Sequence, residues 1–368
     1  MVKKQTEPYL ATYLHQRGYA QGIPISGVFE LTGRCNFSCP MCYVHDTGEN
    51  REGRELTAEQ WLDIAREARD MGMVFALLTG GEPLLRKDFF QIYRGMKELG
   101  LMVSINSNGS LLHGEILEQL LLDPPTRINI SLYGGCPETY RKMCGVDAYH
   151  RVTENIRQLK AAGVDVSLNL SITPYNKDDL ARIRADAARL DVPVRSSGYM
   201  YPQVRVKGDH QSRLSPVDAA RYELEWEKLY YGEEAMLERT RELQMWLDEG
   251  CPRNPGSDGE KVSCRAGTTS FWITWEGKMM PCGMVTEPGA YPLEQGFGEA
   301  WQQIRRETAA IRMPAACAGC DKRNACGVCA AVCKTETGHF HGIPSYMCEK
   351  TAEKIRLLQG TGDAREEV

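Results

Sequence analysis

Short apolar runs alternate with longer amphipathic stretches between residue 25 and about residue 196. Runs of this length, rich in Val, Ile and Leu, are typical of buried strands. They fall at residues 27–32, 73–79, 102–106, 127–132, 164–172 and 192–195. Six strands separated by helices predict an α/β fold, a parallel sheet rolled into a partial (β/α)6 barrel of the TIM type. In such barrels, functional residues gather at the carboxyl ends of the strands.

The amphipathic stretches carry recognisable helix signals. Thr57 and Gln60 have the spacing of a capping box ahead of a helix over 61–71. Asn176 is expected to cap a second helix over 178–190. Helices at these places supply the crossover connections that neighbouring parallel strands require.

The residue pattern and composition of the chain change after the sixth strand. Ser215 and Pro216 fit the N-cap and first position of a helix, and residues 217–249 have the pattern of one or two charged amphipathic helices. From Cys251 the chain is rich in Gly, Pro, aromatic and Cys residues, which is typical of a domain held together by metals. We therefore predict an N-terminal extension (1–24), the partial barrel (25–215), a helical connector (216–250), a cysteine-rich domain (251–358) and a flexible tail (359–368).

Composition and charge narrow the class of protein. With 42% hydrophobic and 25% charged residues, a chain of 368 residues is an ordinary globular protein of about two domains. The net charge of −5 and the scattered basic residues argue against a nucleic-acid partner. Neither a signal peptide nor a run long enough to cross a bilayer is present in the sequence, so no membrane partner is expected. Fourteen cysteines without an export signal predict a cytoplasmic protein whose thiols bind metal; the alternative is a set of inert buried thiols.

Three cysteines follow the first predicted strand at a spacing suited to an iron–sulfur cluster. Cys35, Cys39 and Cys42 form a C-x3-C-x2-C motif in one short loop. Three thiolates can hold three irons of a cubane cluster, whose fourth iron then stays open. An open position on a bound metal is what separates a reactive site from a structural one.

Polar residues and glycines follow the next three strands on the same rim. Gly80-Gly81-Glu82-Pro83 ends the second strand: paired glycines allow close approach to the backbone, and the carboxylate can bind an ammonium group. Taken alone, the same four residues fit an ordinary strand-to-helix turn. Residues 106–109 after the third strand and Ser131 after the fourth add groups that either bind ribose or a carboxylate or cap helices.

The three-cysteine motif and the Gly-Gly-Glu-Pro turn together resemble the radical S-adenosylmethionine (SAM) superfamily. The resemblance implies a [4Fe–4S] cluster on the three cysteines, S-adenosylmethionine on its fourth iron, and a 5′-deoxyadenosyl radical that abstracts a substrate hydrogen. It also implies an external electron donor of the reduced flavodoxin or ferredoxin type. The residues implied to bind the cofactor are Met41, Gly80, Gly81, Glu82, Pro83, Asn108 and Ser131. Arg195, at the end of the sixth strand, is a further candidate.

The cysteines of the second half resemble the SPASM extension of the same superfamily, which implies two auxiliary [4Fe–4S] clusters. The pattern is Cys264-x12-Gly277-x4-Cys282, then Cys317-x2-Cys320-x5-Cys326 and a late Cys348. It implies Cys317, Cys320, Cys326 and Cys348 as ligands of the outer cluster. The inner cluster is implied to use Cys264 and Cys282 with Cys329, Cys333 or both. Cys251 is a further candidate, so the inner cluster is either fully bound by protein or keeps an open iron.

Other interpretations of the cysteines and aromatic residues stay open at this point. A zinc site made of the pairs Cys317/Cys320 and Cys326/Cys329 is one of them. Residues outside the two patterns have less specific expected roles. Cys136 and Cys144 are interpreted as structural thiols or thiol hydrogen donors, His339 and His341 as surface residues, and Tyr133, Tyr175, Tyr199 and Tyr201 as residues that line a cavity.

The resemblance predicts oxidative modification of a ribosomal peptide or protein, by cross-linking, thioether formation or dehydrogenation. An auxiliary cluster then receives the electron that a net oxidation releases. Because only about 25 residues precede the first strand, peptide recognition is expected either from a separate leader-binding protein or from the barrel itself. The alternatives are dehydrogenation or epimerisation of a small alcohol, sugar or cofactor precursor, and a non-catalytic iron–sulfur carrier.

Overall fold

The computed structural model describes residues 7–44, 55–202, 212–248 and 259–363. Within these ranges, six strands coincide with the predicted ones to within three residues at either end, and two more come from the cysteine-rich half. The strands are β1 (Ser26–Glu30), β2 (Phe75–Thr79), β3 (Met102–Ser107), β4 (Arg127–Ser131), β5 (Val166–Ser171), β6 (Val194–Ser197), β7 (Ser270–Ile273) and β8 (Met279–Met280).

Helices connect and surround the strands. In chain order they are α1 (Glu7–Gln21), α2 (Ala58–Asp70), α3 (Phe89–Glu98), α4 (Gly114–Leu122), α5 (Pro137–Cys144), α6 (Tyr149–Ala161), α7 (Leu180–Arg189), α8 (Pro216–Tyr231), α9 (Glu233–Asp248), α10 (Pro292–Gln295), α11 (Phe297–Ala310), α12 (Ala315–Ala318), α13 (Ala330–Thr337) and α14 (Ser345–Asp363). None of the helices in the described ranges has both the length and the apolar character needed to cross a bilayer.

All eight strands form one open sheet in the order β6-β5-β4-β3-β2-β1-β7-β8. The strands from β6 to β7 are parallel to their neighbours, and only the pair of β7 and β8 is antiparallel. The predicted α/β partial barrel is therefore confirmed. The cysteine-rich half adds to its sheet, since β7 pairs with β1 along Ser26–Phe29.

The sheet has an apolar face under the helices and a polar face opposite, because successive residues of a strand point to opposite sides. On the apolar face, Phe29 packs edge-on against Trp61 of α2 and Phe271 of β7, with ring centroids 5.9 and 5.8 Å apart. The register places Glu30 on the opposite, polar face. The polar face on the later strands includes Asn106, Asn129, Ser131, Asn169 and Arg195.

One predicted helix cap is confirmed and another is wrong. Thr57 Oγ1 accepts a hydrogen bond from the Gln60 N–H, and the Gln60 side chain accepts one from the Thr57 N–H, which completes a capping box. Asn176 does not cap its helix. Its side-chain oxygen accepts a bond from the Thr173 N–H, and its amide donates to the carbonyls of Tyr133 and Ser171, so it ties the ends of β4 and β5 together.

The predicted connector consists of two helices, α8 and α9, with Ser215 as the N-cap of α8. Glu223 of α8 forms ion pairs with Lys350 and Lys354 of α14, at 2.6 and 2.8 Å. Helix α14 continues to Asp363, through residues that were assigned to a flexible tail from the sequence. Cys251 lies outside the described residues.

Candidate active site

The loop with Cys35, Cys39 and Cys42 follows β1 at its carboxyl end, as predicted. All three side chains are half-buried, and the Cys42 N–H donates to the Cys39 carbonyl in a tight turn. Burial raises the pKa of the Cys35 thiol to about 11. A hydrogen bond with Cys144 and then burial raise the pKa of the Cys39 thiol, so Cys144, named from the sequence as a structural thiol, lies directly against this loop.

The Gly-Gly-Glu-Pro turn after β2 packs against the three-cysteine loop. The Gly81 N–H donates to the Thr32 carbonyl at 2.7 Å, and the Glu82 N–H donates to the Arg34 carbonyl at 2.8 Å. A Cβ atom on Gly80 would lie 2.5 Å from the Thr32 carbonyl oxygen, and one on Gly81 would lie 2.3 Å from that of Arg34. Both glycines are therefore required by the contact between the two loops, and the close approach of a ligand that the sequence indicates stays a prediction.

Glu82 is fully buried between the ends of β2 and β3. Its carboxylate accepts hydrogen bonds from the Ser107 hydroxyl at 3.0 Å, the Asn108 N–H at 2.7 Å and the Leu84 N–H at 3.2 Å. Burial raises its pKa to about 7, although these three donors oppose the shift. A buried carboxylate of this kind is suited to binding an ammonium group, which is the role predicted for it. Pro83 starts the single helical turn that follows.

The other predicted cofactor residues occupy the same rim or face. The Asn108 amide donates to Asn36 Oδ1 at 2.8 Å and approaches Cys35 Sγ at 3.7 Å, so it contacts the three-cysteine loop itself. Ser131 lies on the polar face at the end of β4, and Arg195 is exposed on that face in the edge strand β6. Met41 is half-buried in the loop and packs against the main core. Their contacts with a cofactor stay predictions.

The structure adds two residues that sequence reasoning missed, Glu30 and Trp272. Trp272 of β7 lies beside β1, where its indole Nε1–H donates to Glu30 Oε2 at 2.7 Å. Glu30 is fully buried although it lies on the polar face. A glutamate at the end of an apolar strand is a signal in the sequence that a buried polar contact forms there. The sequence does not indicate the partner, because Trp272 lies 242 positions away in the chain.

The cysteines of the second half surround two separate cavities. Cys317, Cys320, Cys326 and Cys348 line one of about 520 Å³, and we call it the outer site. Four thiols around one space of that size fit a cubane cluster better than a lone ion. No three described His, Cys, Asp or Glu side chains are grouped closely enough to hold a single metal ion.

A second cavity, of about 200 Å³, is lined by Cys264, Cys282, Cys329 and Tyr201, and we call it the inner site. The Tyr201 hydroxyl lies 3.7 Å from Cys329 Sγ. Burial raises the pKa of Cys282 to about 11, with the neighbouring thiols Cys329 and Cys264 adding to the shift. The zinc interpretation required Cys326 and Cys329 in one site, and the structure separates them into two.

Cys333 lines neither cavity. It is fully buried in α13, one turn after Cys329, whose carbonyl accepts the Cys333 N–H. Burial raises its pKa to about 12. Cys329 precedes the first turn of α13 and faces the inner site, so the two candidates that spacing left open have different surroundings. His339 and His341 are exposed, in agreement with their assignment as surface residues.

Comparison with known proteins gives the family. Residues 29–187 match the Radical SAM superfamily, and this stretch contains both the three-cysteine loop and the Gly-Gly-Glu-Pro turn. The chain thus contains a radical SAM domain, the domain of a superfamily of enzymes. This family binds S-adenosylmethionine and a [4Fe–4S] cluster, as predicted.

Sequence relatives differ in what they make. The AdoMet-dependent heme synthase of Methanosarcina barkeri is 27% identical over 350 residues, which is 89% of this chain and 97% of that protein. A probable GTP 3′,8-cyclase of Saccharolobus solfataricus is 41% identical over 151 residues, 40% of this chain and 48% of its own length.

Solved structures with the same fold are SPASM-domain radical SAM maturases. Streptococcus suis SuiB bound to the precursor peptide SuiA has a TM-score of 0.65 at 17% identity, over 94% of this chain and 82% of its own. His-tagged anSMEcpe with bound AdoMet has a TM-score of 0.69 at 15% identity, over 93% and 96%. The likeness extends over both halves of the chain, so the cysteine-rich half shares the fold as well.

Proposed function

We propose that this protein oxidises a side chain of a ribosomally made peptide or protein, by hydrogen abstraction followed by electron transfer to an auxiliary cluster. The observation that carries the proposal is the inner site. Its three cysteines lie in the half of the protein whose strand β7 is hydrogen-bonded to β1, the strand that leads into the three-cysteine loop, and Tyr201, which follows β6 of the barrel, lines the same cavity. An electron acceptor beside the barrel is what a net oxidation needs.

In this proposal the residues of the barrel rim bind and orient the cofactor. Cys35, Cys39 and Cys42 hold the radical cluster, which with S-adenosylmethionine supplies the radical that removes a substrate hydrogen. Glu82 binds the methionine ammonium, and its position is fixed by the donors Ser107 and Asn108. The contact between the Gly-Gly-Glu-Pro turn and the three-cysteine loop keeps Glu82 beside the cluster ligands.

The peptide substrate is supported by the structural neighbours. SuiB was solved with the precursor peptide SuiA, and anSMEcpe with the Kp18Cys peptide, each over more than nine-tenths of this chain. A separate leader-binding protein and a reduced flavodoxin or ferredoxin-type donor belong to the same proposal. The polar face of the barrel, with Asn106, Asn129 and Asn169, offers amide groups that suit a peptide backbone.

A second candidate is the modification of a small cofactor precursor. It is favoured by the heme synthase relative, whose likeness extends over 97% of that protein and both cysteine-bearing halves of this chain. The two candidates share the radical chemistry and the auxiliary sites, so they differ only in what enters the barrel.

The test begins with metal content and continues with products. After anaerobic reconstitution we expect about twelve irons per chain, and about eight in the Cys35/Cys39/Cys42 triple alanine variant. Wild-type protein should form 5′-deoxyadenosine, and the triple variant should form none. Each candidate peptide and porphyrin-type precursor is then assayed by mass spectrometry. A loss of about two hydrogens from a peptide supports the first candidate, and conversion of the precursor alone supports the second. About four irons with stoichiometric zinc would refute both as stated.

A further inference from the structure

Trp272 lies between the three-cysteine loop and the inner site. On one side its indole meets the ring of Tyr43, the residue directly after Cys42, edge-on at 6.4 Å between centroids. On the other side it packs against Gly283, the residue directly after Cys282. One side chain therefore contacts the neighbour of a radical-cluster ligand and the neighbour of an inner-site ligand.

The contact with the inner site depends on the absence of a side chain at Gly283. A Cβ atom there would lie 3.1 Å from three atoms of the six-membered ring of Trp272, which is closer than ordinary van der Waals contact. The backbone beside Cys282 consequently lies directly on the indole. Any larger residue would have to push this loop away from the ring.

The indole is also held in a fixed orientation. Its Nε1–H donates to Glu30 Oε2 at 2.7 Å, and Glu30 is fully buried. A hydrogen bond to an ionised group is stronger than one between neutral groups, so this bond restrains the orientation of the indole. The pairing of Val28 with Trp272 in the parallel ladder fixes the backbone on which the indole stands.

We propose that Trp272 carries the electron between the radical site and the inner auxiliary site. This inference rests on the proposed function. After the substrate has lost a hydrogen atom to the deoxyadenosyl radical, it gives up one electron and one proton as its new bond forms. The proton leaves to solvent. The electron passes through Trp272 to the inner cluster, which is thereby reduced by one electron. Electron transfer is faster through atoms that are in contact than across an empty space of the same length.

The test measures electron exchange between the two clusters in the reconstituted full-length protein, with no substrate present. A laser flash with a deazaflavin photoreductant supplies less than one electron per chain. Rapid freezing and electron paramagnetic resonance then follow the two reduced clusters until they reach equilibrium. Trp272→Leu should slow this exchange at least tenfold, with unchanged iron content and unchanged midpoint potentials. Trp246→Leu, at an exposed position of α9, serves as the control and should exchange at the wild-type rate.

An unchanged exchange rate in Trp272→Leu with full iron content would overturn the proposal. If Trp272→Leu loses the inner cluster, Trp272→Phe and Gly283→Ala take the same test, and slowed exchange in either one supports the proposal. Loss of the inner cluster in all three variants would mean that Trp272 only builds the site, and would also overturn it. A wild-type protein with about four irons would refute the proposed function instead, so the two failures are distinguishable.

Discussion

The backbone N–H of Asn108 donates a 2.7 Å hydrogen bond to the buried carboxylate of Glu82. This bond joins the end of β3 to the turn after β2, and the Ser107 hydroxyl donates a second bond to the same carboxylate. Both donors lie at the end of β3. Glu82 cannot move toward solvent without breaking both of these bonds.

The pH dependence of cofactor binding follows from this arrangement. Since burial raises the pKa of Glu82 to about 7, protonation below pH 7 removes the charge that attracts the methionine ammonium. The affinity for S-adenosylmethionine should therefore fall by up to about tenfold per pH unit below 7. Anaerobic calorimetry between pH 8 and pH 5.5 measures it. Glu82→Gln should bind weakly at every pH, and an equally steep pH dependence in that variant would contradict the role of Glu82.

The two cysteines that spacing could not separate give a matched pair of variants. Cys329→Ala should reduce iron from about twelve to about eight per chain, because Cys329 lines the inner site. Cys333→Ala should keep about twelve, because Cys333 is buried in α13 and lines neither cavity. Iron and sulfide analysis after identical reconstitution decides between them. The reverse result would show that Cys333 is the ligand.

Tyr201 should tune the potential of the inner cluster. Once Cys329 is a metal-bound thiolate, the Tyr201 hydroxyl, 3.7 Å away, has to be the donor. Hydrogen bonds to cluster sulfurs favour the reduced state. Tyr201→Phe removes this hydrogen bond and with it about 1 kcal/mol by which the reduced cluster is stabilised relative to the oxidised one. The midpoint potential should therefore fall by roughly 40 mV for a one-electron couple. Tyr199→Phe is the control, since the Tyr199 hydroxyl donates to Glu336; an equal shift in both variants would count against the assignment.

His15 links α1 to the segment just before β7, through a 2.7 Å hydrogen bond with the Thr269 hydroxyl. Burial, with a smaller contribution from Arg265, lowers the pKa of His15 to about 4. An unfolded chain takes up this proton near pH 6.5, whereas the folded protein takes it up only near pH 4. The contribution of neutral His15 to the free energy of unfolding is therefore complete above pH 6.5 and is lost as the pH falls toward 4. At pH 5.5 the loss is about 1 kcal/mol.

Urea unfolding at pH 7.5 and pH 5.5 tests the prediction for His15. His15→Gln should lose about 1 kcal/mol less than the wild type between the two pH values. Identical pH dependence in wild type and variant would mean that other groups account for the loss.

Much of the barrel was predictable because its signals are local. Each strand of the first half is a short apolar run between helix signals, and the order of the strands in the sheet is their order in the chain. Cys35 and Glu82 could be placed on one rim since both follow parallel strands. Their direct packing through Gly80 and Gly81 was not predictable, because it depends on the separation of two backbones.

The cysteine-rich half was less predictable because its contacts are distant in sequence. Strand β7 is four residues long, of which three are apolar, and it lies among glycines, prolines and cysteines, where nothing local indicates a parallel partner. The bond between Trp272 and Glu30 spans 242 positions. The prediction for Asn176 is wrong for a related reason, since its side-chain amide donates to the carbonyl of Tyr133, after β4, and to that of Ser171 in β5.

The pairing of β1 with β7 has a consequence for the order in which the protein is made. During synthesis, one edge of β1 stays without its neighbour until β7, at Ser270–Ile273, has left the ribosome. An unpaired strand edge invites pairing with other chains, and contacts this distant in sequence form slowly. A fragment that ends at the connector would lack a wall of the barrel and would expose that edge permanently. A fragment must therefore extend past β7 to be produced without this aggregation-prone flank.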